Sequence, residues 1–437
     1  MKRAIPSKEQ LAWQDLELGV FFHYDIEVFD SRWQIDTGGP LPEPSCWNPA
    51  ALDTDQWMRT AAAAGARYAL LTAKHGTGFC LWPTKQHEYH VGNSPVHRDV
   101  VGEFVASCRK YGIKPGLYYS LSGAYVEQKF RRGDGSLDRE GMNRLLLGQV
   151  EELLVNYGPL TELWFDGGVL RSERGGPDVA GLINRLAPDL ICFGGCPGIK
   201  NVIRWSGSEQ GVAVPECWSA AHFLDDAGRA NVTCDAPGDP DDPIWAPVEV
   251  DMPGRDMMRS YMEGWMYSRE DDGKTYSGEY LFARYLTSVG RNANLLVGCL
   301  PDERGLISGD QVQSLSEFGA LLRGAFGTPL GETVISLPDG SMEVRFPEPV
   351  NAVFAELMED QTEGQNIRSW VLETRWPERW CRKEGKDGWL PVEQGKSIGH
   401  KRIIQLNLLR GCAFRVRILE GTEGARLRSF RIFGRKV

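Results

Sequence analysis

The feature that most limits the fold is the alternation of short apolar runs with amphipathic stretches over the first 328 residues. The runs "GVFFHYD" (19–25) and "RYALLTAK" (67–74) predict strands. Between them, "DTDQWMRTAAAAGA" (53–66) predicts a helix with Asp53 or Thr54 as its N-cap. A strand, a helix and a second strand form the unit of a parallel sheet with helical crossovers. The alternation therefore predicts an α/β fold.

The same alternation continues to about residue 326. Further strands are predicted over 113–120, 161–166, 190–195 and 292–298, and further helices over 98–112, 143–158, 179–188, 277–289 and 308–326. Roughly eight such repeats in about 300 residues favour a (β/α)8 TIM-like barrel over an open sheet. No glycine-rich nucleotide-binding motif follows the first strand. The long stretch 195–250 lacks periodicity, and we expect it at the catalytic face of the barrel.

The sequence pattern changes near residue 329, from strands alternating with helices to short alternating apolar and polar runs. Segments such as "RIIQLNLLRGCAFRVRILE" and "RLRSFRIFG" are short alternating runs separated by Gly, Pro and Asp. This pattern is typical of an antiparallel β-sandwich. We therefore predict two domains, a catalytic barrel over 1–328 and a β-sandwich over 329–437 that packs closely on it.

Charge and cysteine usage limit the partners and the compartment. The net charge of −10 argues against nucleic acid and anionic membranes as partners. No stretch approaches the roughly 20 apolar residues of a membrane span, and the N-terminus shows no apolar signal region. The ten cysteines lack framework spacing, which predicts reduced thiols in a cytoplasmic protein. Cys192 and Cys196 lack a second ligand pair, so we expect no metal site there.

Polar side chains at the carboxyl ends of the predicted strands are the candidate site residues. In a barrel these ends meet at one face, where active sites lie. Strand by strand they offer His23, then His75, then Tyr118 and Tyr119, then Asp166. Aromatic residues flank them, and 14 Trp are present in the chain. Imidazoles, carboxylates and aromatic faces together suit a neutral polyhydroxylated ligand.

Hydrolysis of a glycoside needs two carboxyl groups, which in a retaining enzyme are about 5 Å apart. Asp166 is the better nucleophile because the end of a strand fixes it. The residues leave its partner open: the candidates in the irregular stretch are Glu209, Glu216, Glu249 and Asp251. Glu209 follows an apolar run ending in Trp205, and a nearby Trp can raise a carboxyl pKa toward that of a general acid.

The sequence resembles the α-L-fucosidases of glycoside hydrolase family 29. The resemblance covers most of the chain. It is carried by "LGVFFHYD", "DTDQWMRTAAAAGARYALLTAKHGTGFCLWPTK", "LWFDGG", "RWSGSEQG", "WAPVEVDMPGR" and "SVGRNANLLVGCLPDERGLI". The last segments look most like the branch acting on 1,3/1,4-linked fucose. The resemblance implies a retaining exo-glycosidase that acts on a fucosylated oligosaccharide or glycoside and needs neither cofactor nor metal.

The resemblance also assigns roles to residues. It implies Asp166 as nucleophile and Glu209 as acid/base. It implies sugar contacts from His23 and His75, and from Trp245 and Glu249 of the segment "WAPVE". Trp33 remains from a Glu-Trp pair after the first strand. Strand position adds two expected pocket neighbours, Tyr119 and Trp164.

Two departures from the family pattern leave the identity of the sugar undetermined. The usual "KHHDGF" is "KHGTGF" here, so that Gly76 and Thr77 replace an imidazole and a carboxylate, and Arg32 replaces the Glu before Trp33. Loss of hydrogen-bonding groups can change specificity by orders of magnitude. The alternatives are fucose with a changed linkage preference, a related glycone such as L-galactose, and a non-catalytic sugar-binding protein. The sequence also leaves open whether the chain is a monomer or a homo-oligomer.

Overall fold

The computed structural model describes residues 3–35, 37–205, 207–224, 237–330, 334–375 and 388–436. Ten strands precede residue 300 in these ranges: β1 (Leu18–Phe22), β2 (Tyr68–Lys74), β3 (Lys114–Ser120), β4 (Glu162–Asp166), β5 (Ile191–Phe193), β6 (Val202–Trp205), β7 (Ala220–Ala221), β8 (Ile244–Trp245), β9 (Val248–Met252) and β10 (Ala293–Cys299). All except β7 and β8 close into one barrel, in the order β1-β10-β9-β6-β5-β4-β3-β2. Every pairing within the barrel is parallel. The predicted (β/α)8 class is confirmed.

The two faces of each barrel strand supply two separate apolar cores. Phe21, Leu70, Tyr118 and Trp164 point into the barrel and pack together beneath its carboxyl-end face. Their sequence neighbours, such as Phe22 and Leu71, point outward and pack under the helices. Because both faces are covered, the strands are apolar almost throughout, as parallel strands in α/β proteins are.

The helices follow the strands much as the periodicity predicts. They are α1 (Lys8–Gln14), α2 (Thr54–Ala64), α3 (Val100–Tyr111), α4 (Ala124–Phe130), α5 (Arg139–Tyr157), α6 (Val179–Leu186), α7 (Gly278–Thr287) and α8 (Gly309–Phe326). Asp53 caps α2 by accepting a hydrogen bond from the Gln56 amide, and Gly65 ends the helix with a φ of 88°. Helix α1 precedes the barrel, and the β5–β6 connection, all of it described, carries no α-helix.

The C-terminal domain is an antiparallel sheet domain, which confirms the antiparallel pairing expected of the predicted β-sandwich. Its strands within the described ranges are β11 (Val334–Ser336), β12 (Met342–Glu359), β13 (Ile367–Arg375), β14 (Trp389–Gly395), β15 (Arg402–Gly421) and β16 (Leu427–Lys436). They form one sheet in the order β11-β12-β15-β13-β14, with β16 also paired to β12. The two long strands carry register shifts, and side chains from both halves of the sheet bury one core that includes Trp370, Phe414 and Phe430.

The two domains share a close junction. Lys401 Nζ lies 2.7 Å from Glu17 Oε1, and the His400 amide donates to Asn292 Oδ1 at 2.7 Å. The rings of Phe326 and Phe433 pack with centroids 5.3 Å apart. Within the described ranges, no helix has both the length and the apolar character needed to cross a membrane.

Candidate active site

A cavity of about 240 Å³ opens at the carboxyl ends of the barrel strands. Its wall comes from strand ends and from the loops that follow them, so the fold gathers residues far apart in sequence. The lining residues are Phe21, His23, Ile35, His75, Tyr118, Trp164, Asp166, Glu209, Asp251, Met262, Glu263 and Trp265. Five of the nine residues predicted for the site lie in this wall.

Asp166 is the last residue of β4 and is exposed to the cavity. Gly167 and Gly168 follow it, each with a φ of 73°, and turn the chain away from the strand. Tyr118 on β3 donates a hydrogen bond from its hydroxyl to Asp166 Oδ2 at 2.6 Å. The strand end and this hydrogen bond together fix the carboxylate, as a nucleophile requires.

Glu209 stands in the same wall and is half-buried. Trp265 donates from its indole nitrogen to Glu209 Oε2 at 2.6 Å. Burial raises the pKa of Glu209, and the negative charges of Glu263 and Asp166 add to this, although the Trp265 hydrogen bond acts in the opposite direction. A carboxyl group with a raised pKa keeps its proton at higher pH, which suits a general acid.

The two histidines differ in charge because of what lies behind them. His75 Nδ1 lies 3.5 Å from Glu27 Oε1 and 3.9 Å from Asp25 Oδ2. Burial lowers the pKa of His75, but Glu27 and Asp25 outweigh it and leave that pKa raised. Burial, and then the charge of His75, hold the pKa of His23 well below its usual range. The acidic neighbours therefore favour the protonated form of His75, whereas His23 presents a neutral imidazole to the cavity.

The same buried group could also hold a metal ion. Asp25, Glu27 and His75 offer three ligand atoms within 4.8 Å of one another, in the one such group found among the described residues. The Glu27 oxygens are buried without a hydrogen-bond partner in the described structure, whereas Asp25 accepts from Thr77 at 2.7 Å. An ion pair with His75 accounts for this geometry equally well.

Glu249 lies one layer below the cavity and does not line it. Its carboxylate accepts hydrogen bonds from the Trp164 indole nitrogen at 3.0 Å and from the Tyr68 hydroxyl at 2.6 Å. Burial raises the pKa of Glu249 to about 7, although its hydrogen bonds with Tyr68, Glu162 and Trp164 act in the opposite direction. Glu249 is therefore placed to orient Trp164 rather than to contact a sugar.

Tyr119 and Trp245 lie away from the cavity. Tyr119 points out of the barrel, where its hydroxyl donates to Gln149 Oε1 at 2.7 Å, because successive strand residues face opposite sides. Trp245 precedes β9 and so lies at the amino-end face of the barrel, packed with Ala4 and Ala220. We remove both residues from the proposed site.

The other two candidates for the acid/base, Glu216 and Asp251, lie in different parts of the molecule. Glu216 accepts a hydrogen bond from the Ser397 amide at 2.7 Å and serves the junction with the C-terminal domain. Asp251 lines the cavity and accepts from the Trp205 indole nitrogen at 2.6 Å. Burial raises the pKa of Asp251 to about 8.

The two departures from the family pattern have structural counterparts. A Cβ added at Gly76 would lie 3.0 Å from Ile35 Cδ1 and 3.1 Å from Trp33 Cη2, so these apolar side chains fill the space of the missing imidazole. The Thr77 hydroxyl is committed to Asp25. Arg32 pairs with Asp30 at the surface. Trp33 is thus buried behind Gly76, and neither Thr77 nor Arg32 lines the cavity.

Of the two strand-end candidates on β3, Tyr118 lies in the cavity wall and Tyr119 lies outside it. Tyr118 pairs with Trp164 across β3 and β4 and so shares its face, whereas Tyr119 pairs with Phe165. Other lining residues were missed from the sequence. Ile35, Met262, Glu263 and Trp265 come from loops without a periodic pattern. Met262 and Glu263 adopt positive φ values of 47° and 51°, which no sequence signal announces.

Comparison with known proteins gives a consistent result. Residues 41–325 match the protein family described as alpha-L-fucosidase. A rice protein provisionally described as alpha-L-fucosidase 1 is 31% identical over 97% of this chain and 83% of its own length. Alpha-L-fucosidase 1 of Arabidopsis thaliana is 29% identical over 92% of this chain and 81% of its own length. A solved Bacteroides thetaiotaomicron structure, provisionally described as an alpha-L-fucosidase, superposes with a TM-score of 0.86 at 30% identity, covering 99% of this chain and 100% of the other.

Proposed function

Because the chain belongs to the α-L-fucosidase family of retaining glycoside hydrolases, we propose that it hydrolyses terminal α-L-fucosides with Asp166 as nucleophile and Glu209 as acid/base. The observation that carries these roles is that both carboxyl groups stand in the wall of one cavity. Asp166 is fixed by Tyr118, and the Glu209 pKa is raised. One carboxylate is thus held for attack and the other is suited to keep a proton.

The reaction follows in two displacements. Asp166 attacks the anomeric carbon and forms a glycosyl ester, while Glu209 gives its proton to the departing oxygen. Glu209, now ionised, takes a proton from water as that water attacks the anomeric carbon, and the ester bond to Asp166 breaks. Fucose is released, and both carboxyl groups return to their starting states.

The cavity wall favours fucose over L-galactose as the glycone. Phe21, Trp265 and Ile35 form an apolar part of the wall, which suits the methyl group on C5 of fucose. L-galactose carries a hydroxymethyl group there, and a buried hydroxyl without a partner is costly. His75 and His23 supply the polar contacts for ring hydroxyls.

We also propose the 1,3/1,4-linkage branch of the family, on the strength of segments such as "RWSGSEQG". Hydrolysis rates on fucosyl α-1,2, α-1,3 and α-1,4 oligosaccharides test this proposal separately. Faster turnover of the α-1,2 substrate would contradict it.

Kinetics of Asp166→Ala and Glu209→Ala on an aryl α-L-fucoside test the catalytic roles. We expect each variant to lose at least about 100-fold in kcat. The Glu209→Ala variant should lose less on a substrate with a good leaving group, since that oxygen needs no proton. Added azide should restore turnover in both variants, giving α-fucosyl azide with Glu209→Ala, where azide attacks the β-fucosyl ester, and β-fucosyl azide with Asp166→Ala, where azide attacks the α-fucoside directly. Near-wild-type turnover by Asp166→Ala would contradict the proposed mechanism.

A further inference from the structure

A second cavity, of about 330 Å³, adjoins the first at the catalytic pair. The two cavities share Trp164, Asp166, Glu209 and Asp251. Asp166 and Glu209 therefore stand at the boundary between two spaces. A glycosidase needs space on both sides of the bond it breaks, for the glycone and for the leaving group.

Aromatic rings dominate the second cavity. Phe193 at the end of β5 stacks on Trp164 with ring centroids 3.7 Å apart and an interplanar angle of 8°. Trp205 at the end of β6 lines the cavity and is partly exposed, and its hydrogen bond to Asp251 holds the indole in place. A partly exposed, immobilised indole is a suitable surface for the C–H face of a sugar ring.

The charges in this cavity favour a neutral ligand. The Asp166 carboxylate, which the reaction needs in its ionised form, would repel an anionic sugar. The buried Arg204 guanidinium donates to the carbonyls of Trp218 and Ala246, so its hydrogen bonds serve the fold. Asp251 has a pKa raised to about 8 by burial, so at neutral pH it carries a proton that it can donate to a hydroxyl.

Gly167 marks the open side of the cavity. It is exposed, and a Cβ built on it would have no atom within 4 Å. The adjoining Gly194 is closed in by contrast, since a Cβ there would lie 2.2 Å from the Phe165 carbonyl oxygen. The free space beside Asp166 is therefore above Gly167.

We propose that the second cavity is the leaving-group subsite, and that it takes a neutral pyranose ring stacked on Trp205 above Gly167. This inference rests on the proposed function. It adds that the substrate is a fucosyl oligosaccharide whose first leaving-group unit is an uncharged sugar, bound by stacking and by the Asp251 carboxyl group.

A cavity-filling variant tests the inference. Gly167→Asn places a side chain in the open space, and Asn tolerates the positive φ of this position better than most residues. The matched control is Gly112→Asn, since Gly112 has a φ of 70°, also has no atom within 4 Å of an added Cβ, and lies at the end of α3 at the opposite face of the barrel.

The measurement is kcat/KM on α-L-fucosyl fluoride and on an α-L-fucosyl-N-acetylglucosamine disaccharide. Fluoride needs no leaving-group subsite, so its rate normalises for folding and glycone binding. We expect the disaccharide-to-fluoride ratio to fall about tenfold or more in Gly167→Asn and to stay at the wild-type value in Gly112→Asn.

Two substitutions of Trp205 give an independent measurement. Trp205→Leu removes the aromatic face and should lower the same ratio, whereas Trp205→Phe keeps an aromatic ring and should retain more of it. An unchanged ratio in Gly167→Asn and in Trp205→Leu would overturn the inference while wild-type turnover left the proposed function standing. Failure of the wild-type protein on both substrates would contradict the proposed function instead.

Discussion

At the scale of single residues, the hydrogen bond from Trp265 to Glu209 limits how far burial raises the pKa of the proposed general acid. The bond stabilises the ionised carboxylate and so opposes the rise in the Glu209 pKa caused by burial. Glu209 must be protonated when the leaving group departs. Its ionisation therefore defines the basic limb of the pH profile of kcat/KM.

We expect Trp265→Phe to move this basic limb to higher pH. Phenylalanine keeps a ring in the cavity wall but removes the indole N–H, so the pKa of Glu209 rises further. Trp245→Phe is the matched control, because the Trp245 indole nitrogen has no hydrogen-bond partner in the described structure and lies at the other face of the barrel. A pH–rate profile on an aryl α-L-fucoside decides the question. A basic limb that stays in place in Trp265→Phe would contradict this role.

At the scale of elements, the direction in which a strand side chain points decides its role. Tyr118 and Tyr119 are adjacent on β3 and both buried, yet one contacts Asp166 and the other contacts Gln149 outside the barrel. Tyr118→Phe should lower kcat by about tenfold or more, because Asp166 loses a charge-assisted hydrogen bond. Thermal unfolding of Tyr118→Phe should change little by comparison.

Tyr119→Phe should behave in the opposite way. It leaves Gln149 and Lys74 without the hydroxyl that each contacts, at 2.7 Å and 3.1 Å, and should cost about 1–3 kcal/mol of stability with kcat retained. Parallel kinetics and thermal denaturation separate the two variants. A loss of kcat in Tyr119→Phe equal to that in Tyr118→Phe would contradict the assignment of the two faces.

The elements also show how far the sequence could be interpreted. Long periodic segments such as β2 and α3 were predicted to within two residues, since their apolar patterns record two buried faces. Strands β6 and β9 were not predicted, because they border a long stretch without periodicity in which no alternation of strand and helix marks them. The segment "WAPVE" also led to a wrong expectation. Its Trp245 was expected to contact the sugar, but it precedes β9 and lies at the opposite end of the barrel from the site.

At the scale of the whole molecule, Glu17 links the barrel to the C-terminal sheet. Its carboxylate lies 2.7 Å from Lys401 Nζ and 3.1 Å from His400 Nε2, and it also accepts from the Tyr285 hydroxyl at 2.9 Å. Burial alone would raise the pKa of Glu17, but Lys401 and His400 hold it well below its usual range. The charged form therefore stabilises the folded chain by binding two residues of the neighbouring domain.

We expect Glu17→Gln to lower the stability of the whole molecule at neutral pH by about 3 kcal/mol, because the cation of Lys401 loses one of its buried partners. For a chain of this length that corresponds to a fall in Tm of about 3 °C. Because the folded pKa of Glu17 is depressed, this stabilisation is present above the unfolded pKa of about 4.3 and is lost as pH falls toward the folded value. Calorimetric scans at pH 7 and pH 3 should thus show a difference in Tm from wild type that is smaller at pH 3.

The exposed Glu420 of the C-terminal domain provides the control Glu420→Gln, which should match wild type at both pH values. A Glu17→Gln deficit that is equal at pH 7 and pH 3 would show that packing, and not this charge, joins the two domains.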